Sequence, residues 1–351
     1  MSPVRINLTP RVVPGQRIDA VDELKGLAII LVIVYHAGAI LGVDNVMHGE
    51  IGVDIFLMMS GFTLALGSPD ISLGQFFIRR FSRIYPSYWV ALGVTLVIQW
   101  KLYGTQKSWE NIWQHIIGIH AFSRLAYFAD IVDAFWFVSM ILAAYVVFAL
   151  IRKRLDDLSL VIAVAGFLTA LASYLYIRNS HAGGLISLAV RIPSFFVGII
   201  AGQLLGHGTG ELKFNLLLGF GLICFYYQTF ILSIADNYTL PAVGIITLWI
   251  GLRGLLRKVP GWVGLSGAFA FVGLISYELY LFHQPLIRDY NIYVYGHVLG
   301  VPEPTHRQLF VGAVVGLAVA FVVSIFLHKA MSWLLSFIPG RPKLPATEVP
   351  A

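Results

Sequence analysis

The most informative part of the sequence is ELKGLAIILVIVYHAGAILGV, from Glu23 to Val43. It is an apolar run about as long as a helix needs to cross a bilayer. His36 lies within this run, eleven residues after Lys25. Eleven residues are almost three helical turns, so the two side chains share one helix face about 16 Å apart along the axis. Because an ionisable ring inside hydrocarbon costs free energy, the pattern predicts a functional site at His36.

The composition indicates an all-α, polytopic integral membrane protein. Hydrophobic residues make up 58% of the 351 residues and charged residues only 12%, against roughly 25% charged in soluble domains. We attribute the net charge of +6 to basic cytoplasmic loops and not to nucleic-acid binding. The single cysteine, Cys224, excludes an internal disulfide and a thiolate metal site, and we predict no metal.

Hydropathy predicts about ten transmembrane helices in one bundle. Their predicted bounds are 24–43, 51–67, 84–103, 133–151, 158–178, 185–206, 213–234, 240–256, 261–284 and 308–337. Basic connections alternate with poorly basic ones across this even number of spans, so we expect both termini to be cytoplasmic. The predicted organisation is a cytoplasmic N-terminal tail (1–20), one transmembrane domain (21–340) and a cytoplasmic C-terminal tail (341–351). Within the connection 101–133, apolar residues at helical spacing around Trp109 and Trp113 predict an interfacial or re-entrant helix.

Three residues are candidates for proton transfer. His36 could act as a general base, since a neutral imidazole accepts a proton near pH 7; the alternative is a core histidine that donates to a backbone carbonyl. Asp54 could hold the imidazole tautomer, or could simply complement the start of its helix. Glu278 lies inside an apolar run and needs a partner or a proton there; the alternative is a buried acid without a role.

A cluster of cations is predicted at the inner end of the helices. Arg79, Arg80 and Arg83, together with Lys25, could form a phosphate-binding mouth. The alternative is the ordinary positive charge of a cytoplasmic loop.

Three further side chains are candidates for contact with the substrate. Trp136 could form a wall of the acceptor site, or belong to an aromatic belt at the membrane surface. His283 could take part in the chemistry, or make a contact at the end of its helix. Tyr277 could contact substrate, although packing explains most tyrosines in such a position.

Five motifs in order make the chain resemble the membrane-bound acyltransferase-3 family, which includes the integral-membrane O-acetyltransferases of bacterial surface polysaccharides. The motifs are RIDAVDELKGLAIILVIVYH (Arg17 to His36), GVDIFLMMSGF (Gly52 to Phe62), FFIRRFSRIYPSYW (Phe76 to Trp89), WFVSMILAAY (Trp136 to Tyr145) and SYELYLFHQPL (Ser276 to Leu286). The first contains the family's pattern of a basic residue, ten residues and a histidine, here Lys25 and His36. Many members have a glutamate soon after the tryptophan of the fourth motif, whereas this chain has Ser139, Met140 and Ile141.

The resemblance implies transfer of an acyl group, usually acetyl, from acetyl-CoA to a sugar hydroxyl at the outer side of a bacterial cell inner membrane. It implies that His36 and Lys25 are essential, and it implies a glycan or glycolipid acceptor. Because some members end in an esterase-like domain that this sequence does not show, polysaccharide-assembly proteins are further expected partners. The residues leave two alternatives open: a transient acyl-histidine, and a proton-coupled transporter or flippase in which His36 and Glu278 form a relay.

Overall fold

The computed structural model describes residues 18–43, 49–67, 71–104, 107–122, 131–155, 157–178, 183–206, 238–256, 259–301 and 303–337. Every regular element in these ranges is helical, as the composition predicts. The α-helices are α1 (Asp19–Leu41), α2 (Ile51–Ala65), α3 (Leu73–Tyr103), α4 (Trp109–Ile117), α5 (Trp136–Ile151), α6 (Leu158–Arg178), α7 (Gly183–Gly206), α8 (Thr239–Leu256), α9 (Trp262–Leu274), α10 (Ser276–Ile292) and α11 (His306–Leu335).

Local sequence explains where several helices begin and end. Ser72 caps α3 by accepting a hydrogen bond from the backbone N–H of Gln75, and Ser108 caps α4 in the same way. Gly42 and Gly104 adopt the left-handed conformation directly after α1 and α3. Glycine reaches that conformation without a steric penalty, so both helices stop there.

Several described helices have the length and composition of membrane spans. Four segments qualify: Asp19–Leu41, Asp133–Arg154, Thr239–Leu256 and His306–Leu335. Helix α9 and the part of α10 up to Arg288 qualify as a fifth only when they are taken together. The chain is therefore a multi-pass membrane protein, whereas the count of ten spans and the cytoplasmic side of both termini stay predictions.

The predicted span boundaries need two corrections. The span at 261–284 is not one straight helix, because α9 and α10 meet at a bend of 73° around Ile275. The span at 84–103 is only the second part of α3, which starts at Leu73 and includes the basic residues before it. The predicted short helix around Trp109 is confirmed as α4. The predicted span at 213–234 and most of both terminal tails lie outside the described residues.

Helix α1, which carries His36, packs closely against α2 and α9 and also contacts α10. The close approach depends on glycine. A Cβ added to Gly52 would collide with the carbonyl oxygen of Ala28, and a Cβ added to Gly26 would collide with that of Phe269. Small residues let membrane helices approach backbone to backbone. This packing brings His36 beside α10, while α10 packs on its other sides against α3 and α11.

Candidate functional site

The structure joins the two candidate histidines directly. Nε2 of His283, on α10, lies 3.0 Å from Nδ1 of His36, on α1. The ring centroids are 4.8 Å apart. His283 is fully buried, and His36 is half-buried. Two candidate residues that are separated by 247 positions in sequence therefore form one hydrogen-bonded pair.

The backbone around the pair fixes which ring nitrogens carry protons. Nδ1 of His283 lies 2.7 Å from the carbonyl oxygen of Tyr280, which can only accept, so this nitrogen is protonated. In the neutral ring, Nε2 of His283 is then an acceptor. Nδ1 of His36 lies 3.0 Å from both the carbonyl oxygen of Val32 and Nε2 of His283, so it must be the donor. We therefore assign the unprotonated nitrogen of His36 to Nε2.

This assignment gives His36 the form that a general base requires. Nε2 has a lone pair, and among the described residues it has no hydrogen-bond partner. When Nε2 accepts a proton, the proton on Nδ1 still has its two acceptors, the Val32 carbonyl and His283. The sequence alternative of a histidine that donates to a backbone carbonyl is also true of this ring, and it leaves the second nitrogen available.

Helix α10 also hydrogen-bonds to the backbone of Ala134, just before α5. The hydroxyl of Tyr280 donates to the carbonyl oxygen of Ala134. The side-chain oxygen of Gln284 accepts from the backbone N–H of Ala134 at 2.8 Å. Both groups flank His283 in sequence, so the helix that holds the histidine pair is tied to the chain two residues before Trp136.

A second buried polar cluster is centred on Arg191 of α7. Its Nη2 donates to Oε2 of Glu50 at 2.5 Å, and its Nε lies 3.6 Å from Oδ2 of Asp54. Asp54 is fully buried and accepts a 2.5 Å hydrogen bond from Ser194, which in turn contacts the hydroxyl of Thr239 at 2.8 Å. We call these residues the Arg191 network.

Two aromatic side chains connect the Arg191 network to its surroundings. The guanidinium carbon of Arg191 lies 4.9 Å from the ring centroid of Trp136, which is a cation–π contact. The side chain of Tyr35 interacts with that of Glu50, and its ring is 4.9 Å from that of His36. The network thus reaches the histidine pair through the residue that precedes His36.

The predicted partnership between Asp54 and His36 is replaced by these contacts. Both carboxylate oxygens of Asp54 face α7, where Ser194 and Arg191 lie. The sequence reasoning missed Glu50, Arg191 and Ser194. A usable signal was present, because Arg191 is a lone cation within an apolar helix, and such residues are rare unless they are paired or functional.

Glu278 and Tyr277 lie apart from the histidine pair. Glu278 is in the first turn of α10, where it accepts from Ser87 at 3.1 Å and faces Nδ1 of His328 at 3.3 Å. The hydroxyl of Tyr277 donates to the carbonyl oxygen of Ile84 at 3.0 Å. Both side chains thereby connect α10 with α3, and Glu278 also reaches α11.

The predicted cations at the other end of the bundle are distributed over two helices. Nζ of Lys25 lies 3.8 Å from Oδ1 of Asp22, one turn earlier on α1. The guanidinium of Arg80 lies 5.8 Å from the ring of Phe76, Arg83 is exposed and Arg79 is half-buried. Helix α10 packs against both of the helices that carry these cations, α1 and α3.

The start of α1 is anchored by a buried carboxylate that the sequence reasoning did not single out. Glu23 is fully buried. Its oxygens accept hydrogen bonds from Arg253 at 3.1 Å, from the Trp249 indole at 3.0 Å and from Ser266 at 2.6 Å. A paired carboxylate here holds α1 against α8 and α9, and this fixes the helix on which Lys25 and His36 lie.

Comparison with known proteins assigns the chain to a family. Residues 18–329 match the family model described as "Acyltransferase domain". The chain belongs to the acyltransferase-3 family. No solved structure matches it.

Three curated relatives resemble parts of the chain. It is 34% identical over 87 residues to the peptidoglycan O-acetyltransferase OatA of Listeria monocytogenes, a match that covers 23% of this chain and 13% of the relative. It is 36% identical over 94 residues to the putative membrane-bound transacylase BcsY of Komagataeibacter xylinus, covering 25% of this chain and 23% of that protein. It is 33% identical over 87 residues to Protein 2 in picA locus of Rhizobium radiobacter, covering 23% and 45%. Each match thus spans less than half of the relative.

Proposed function

We propose that this protein is a membrane O-acyltransferase that moves an acetyl or other short acyl group from acyl-CoA to a sugar hydroxyl of an exported glycan. The observation that carries the proposal is the His36–His283 hydrogen bond of 3.0 Å, because it leaves Nε2 of His36 unprotonated. Membership of the acyltransferase-3 family supports the reaction class. The name of OatA, a peptidoglycan O-acetyltransferase, supports acetyl as the group and a glycan as the acceptor.

In the proposed reaction, Nε2 of His36 removes the proton of the acceptor hydroxyl as the oxygen attacks the thioester carbonyl. The carbon–oxygen bond forms and the carbon–sulfur bond breaks. The His36 imidazolium then returns the proton to the departing CoA thiolate, so the ring ends in its starting state. Throughout this cycle the proton on Nδ1 of His36 stays between the Val32 carbonyl and His283.

His283 acts as a positioning residue in this proposal. Its Nδ1–H bond to the Tyr280 carbonyl keeps its Nε2 an acceptor, and that acceptor orients His36 and stabilises the imidazolium. The role is comparable to that of the acid in a catalytic triad, with an imidazole in place of a carboxylate. The sequence analysis named His283 as a candidate for contact with the substrate, and we now propose instead that it supports the base.

The Arg191 network supplies the fixed wall of the proposed acceptor side. Trp136 presents one ring face to Arg191 and is half-buried. Flat amphipathic rings suit sugar faces, so Trp136 remains the best candidate for contact with the acceptor. The donor would approach from the end of the bundle where Lys25 and the arginines of α3 lie, and we propose the bacterial inner membrane as the location.

The proposal is tested with purified protein in proteoliposomes that are supplied with acetyl-CoA and candidate glycans. We expect free CoA to appear only when an acceptor is present, without any ion gradient. A parallel test compares the NMR spectra of surface glycans from cells with and without the protein, and we expect one O-acyl signal to be lost. Turnover that needs a proton gradient, with unchanged glycans, would replace the proposal with the transporter alternative.

The contacts of Glu278 bear on that alternative. A relay through His36 and Glu278 requires the two groups to exchange a proton. Glu278 instead contacts Ser87 and His328, while His36 contacts His283. The described residues therefore divide the supposed relay into two separate pairs, which favours the acyltransferase.

A further inference from the structure

A groove of about 700 Å³ lies where α3 begins and α5 ends. Its polar lining comes from Ser72, Arg152 and Lys153, and its apolar lining includes Leu73 and Leu150. The volume falls within the range of small-molecule sites, roughly 300–1,000 Å³. By chain order this is the end of the bundle at which α1 also begins, opposite to the end at which Trp136 opens α5.

Arg152 is the informative residue of the groove. It is 6% exposed, and its Nη1 is buried without a hydrogen-bond partner in the part of the chain that the structure describes. The guanidinium carbon lies 5.7 Å from the ring of Phe76, a cation–π contact that gives Nη1 no hydrogen-bond acceptor. Buried charges are normally paired and hydrogen-bonded because an unpaired one is costly. A guanidinium in this state indicates an anionic ligand.

Two other features of the groove favour an anion. The first N–H groups of a helix lack intrahelical partners and carry partial positive charge. Ser72 accepts from the N–H of Gln75. Apart from the helix's own backbone, no atom of the described residues lies within 4 Å of the Cβ position at Gly74, so they leave open space beside the start of α3. Lys153, which follows Arg152, adds a second cation to the lining. No carboxylate is among the described lining residues.

We propose that this groove binds a phosphate group, with the Arg152 guanidinium as its main ligand and Lys153 and the start of α3 as auxiliary ones. The groove is lined by none of the four cations that the sequence analysis assigned to a phosphate-binding mouth. Two sources supply the same chemistry: the nucleotide end of CoA, which would rest on the proposed function, and an anionic lipid headgroup, which would not.

Binding to the full-length protein tests the inference. The probes are adenosine 3′,5′-bisphosphate, inorganic phosphate and nanodiscs that contain phosphatidylglycerol. We expect Arg152→Gln to weaken binding of the phosphate probe at least about tenfold, since it removes charge-assisted hydrogen bonds. Arg154→Gln is the matched control, because Arg154 has the same charge, is exposed and does not line the groove; we expect it to bind within about twofold of wild type.

Further variants keep the test decisive if Arg152→Gln does not fold, which size-exclusion elution would reveal. Arg152→Lys keeps the charge but loses the planar fork, so we expect an intermediate loss. Lys153→Gln changes an exposed side chain, and we expect a loss of a few-fold. If all the folded variants bind every phosphate probe as wild type does, the inference is overturned.

The arms of the experiment separate the two sources and the two proposals. Arg152-dependent binding of the bisphosphate, in competition with CoA, identifies the donor as the source. Arg152-dependent retention of phosphatidylglycerol alone, measured by native mass spectrometry, identifies the lipid, and the phosphate site stands. If wild type transfers acyl groups while Arg152→Gln binds the probes normally, the groove fails and the proposed function stands. If Arg152 governs phosphate binding but no acyl transfer is found, the proposed function fails and the groove stands.

Discussion

The histidine pair and the Arg191 network are neighbouring polar clusters that are held together differently, the pair by a hydrogen bond and the network by opposite charges. The pair consists of two imidazoles joined by one hydrogen bond of 3.0 Å, and Nε2 of His36 has no hydrogen-bond partner among the described residues. The network consists of a guanidinium that faces two carboxylates, one of which accepts a further hydrogen bond from Ser194. The pair can gain or lose a proton without breaking its internal contact, whereas the network loses an ion pair if any charge changes.

This difference suggests that the histidine pair transfers protons and that the Arg191 network keeps the proposed site rigid. Groups that must change protonation are best held by hydrogen bonds that survive the change, as His36 is held by Val32 and His283. Groups that must keep a shape are best held by opposite charges in a region of low dielectric. We therefore expect substitutions in the pair to alter turnover and substitutions in the network to alter stability.

The largest effect is expected for His36→Ala. Loss of a general base lowers turnover by about 10²- to 10⁴-fold, and the protein should still insert and purify as wild type does. The measurement is the rate of CoA release in proteoliposomes. His306→Ala, at an exposed histidine at the start of α11, is the control and should stay close to the wild-type rate. Turnover within tenfold of wild type in His36→Ala would remove the base from the mechanism.

Arg191→Gln is expected to lower the stability of the folded protein. Removing one partner leaves the buried carboxylate of Asp54 uncompensated, and we expect a loss of about 3 kcal/mol or more, measured as a lower midpoint of unfolding in detergent. Arg288→Gln is the matched control, because its 3.6 Å pair with Asp133 is partly exposed and should contribute no more than about 1 kcal/mol. Equal midpoints for the two variants would show that the Arg191 network contributes no more than a surface pair.

Two substitutions of His283 distinguish its role as a hydrogen-bond acceptor from its role in packing. His283→Leu removes the acceptor for Nδ1 of His36, and we expect turnover to fall by about tenfold to a hundredfold, less than for the base itself. His283→Gln restores a side-chain acceptor and should recover most of that loss, with the Michaelis constants for both substrates unchanged. Identical rates in the two variants would mean that the acceptor is irrelevant and that only volume counts.

The smallest effect is expected for Trp136. Trp136→Leu removes the ring face beneath Arg191, and we expect a stability loss of about 1 kcal/mol. Trp136→Phe keeps a weaker aromatic face and should lose less. The same unfolding midpoints measure both variants, and equal losses would mean that the ring face contributes nothing to the contact. A rise in the Michaelis constant for the acceptor would in addition support contact between Trp136 and the sugar.

Hydropathy was sufficient for the helices that are apolar throughout, and it failed where a helix is not. Helix α1 was found within a few residues of its predicted bounds. Helix α3 begins eleven residues before the predicted span, because its first turns are basic and amphipathic and a hydropathy criterion does not register them. The bend at Ile275 has no proline at the break; Gly273, two residues earlier, crosses α1 at the carbonyl of Asp22, which is a tertiary contact that no local pattern reveals.

The sequence predicted several residues of the candidate site, but it did not predict which of them contact each other. His36 was found because one ionisable ring interrupts an apolar run. His283 was also named as a candidate, but its hydrogen bond to His36 was not predicted, since that bond depends on how α1 and α10 pack. The expected link from Asp54 to His36 failed for the same reason: similar depth in the membrane does not determine which helix a side chain faces, and Asp54 faces α7.

The grip of Tyr280 and Gln284 on Ala134 has a consequence for how this architecture can diversify. Both contacts are made to the backbone N–H and carbonyl of one residue, Ala134, and every residue except proline offers that same pair. The contact between α10 and the start of α5 therefore does not depend on which side chains flank Ala134. A descendant could exchange Asp133 or Trp136 to suit a new acceptor while the reactive centre keeps its alignment.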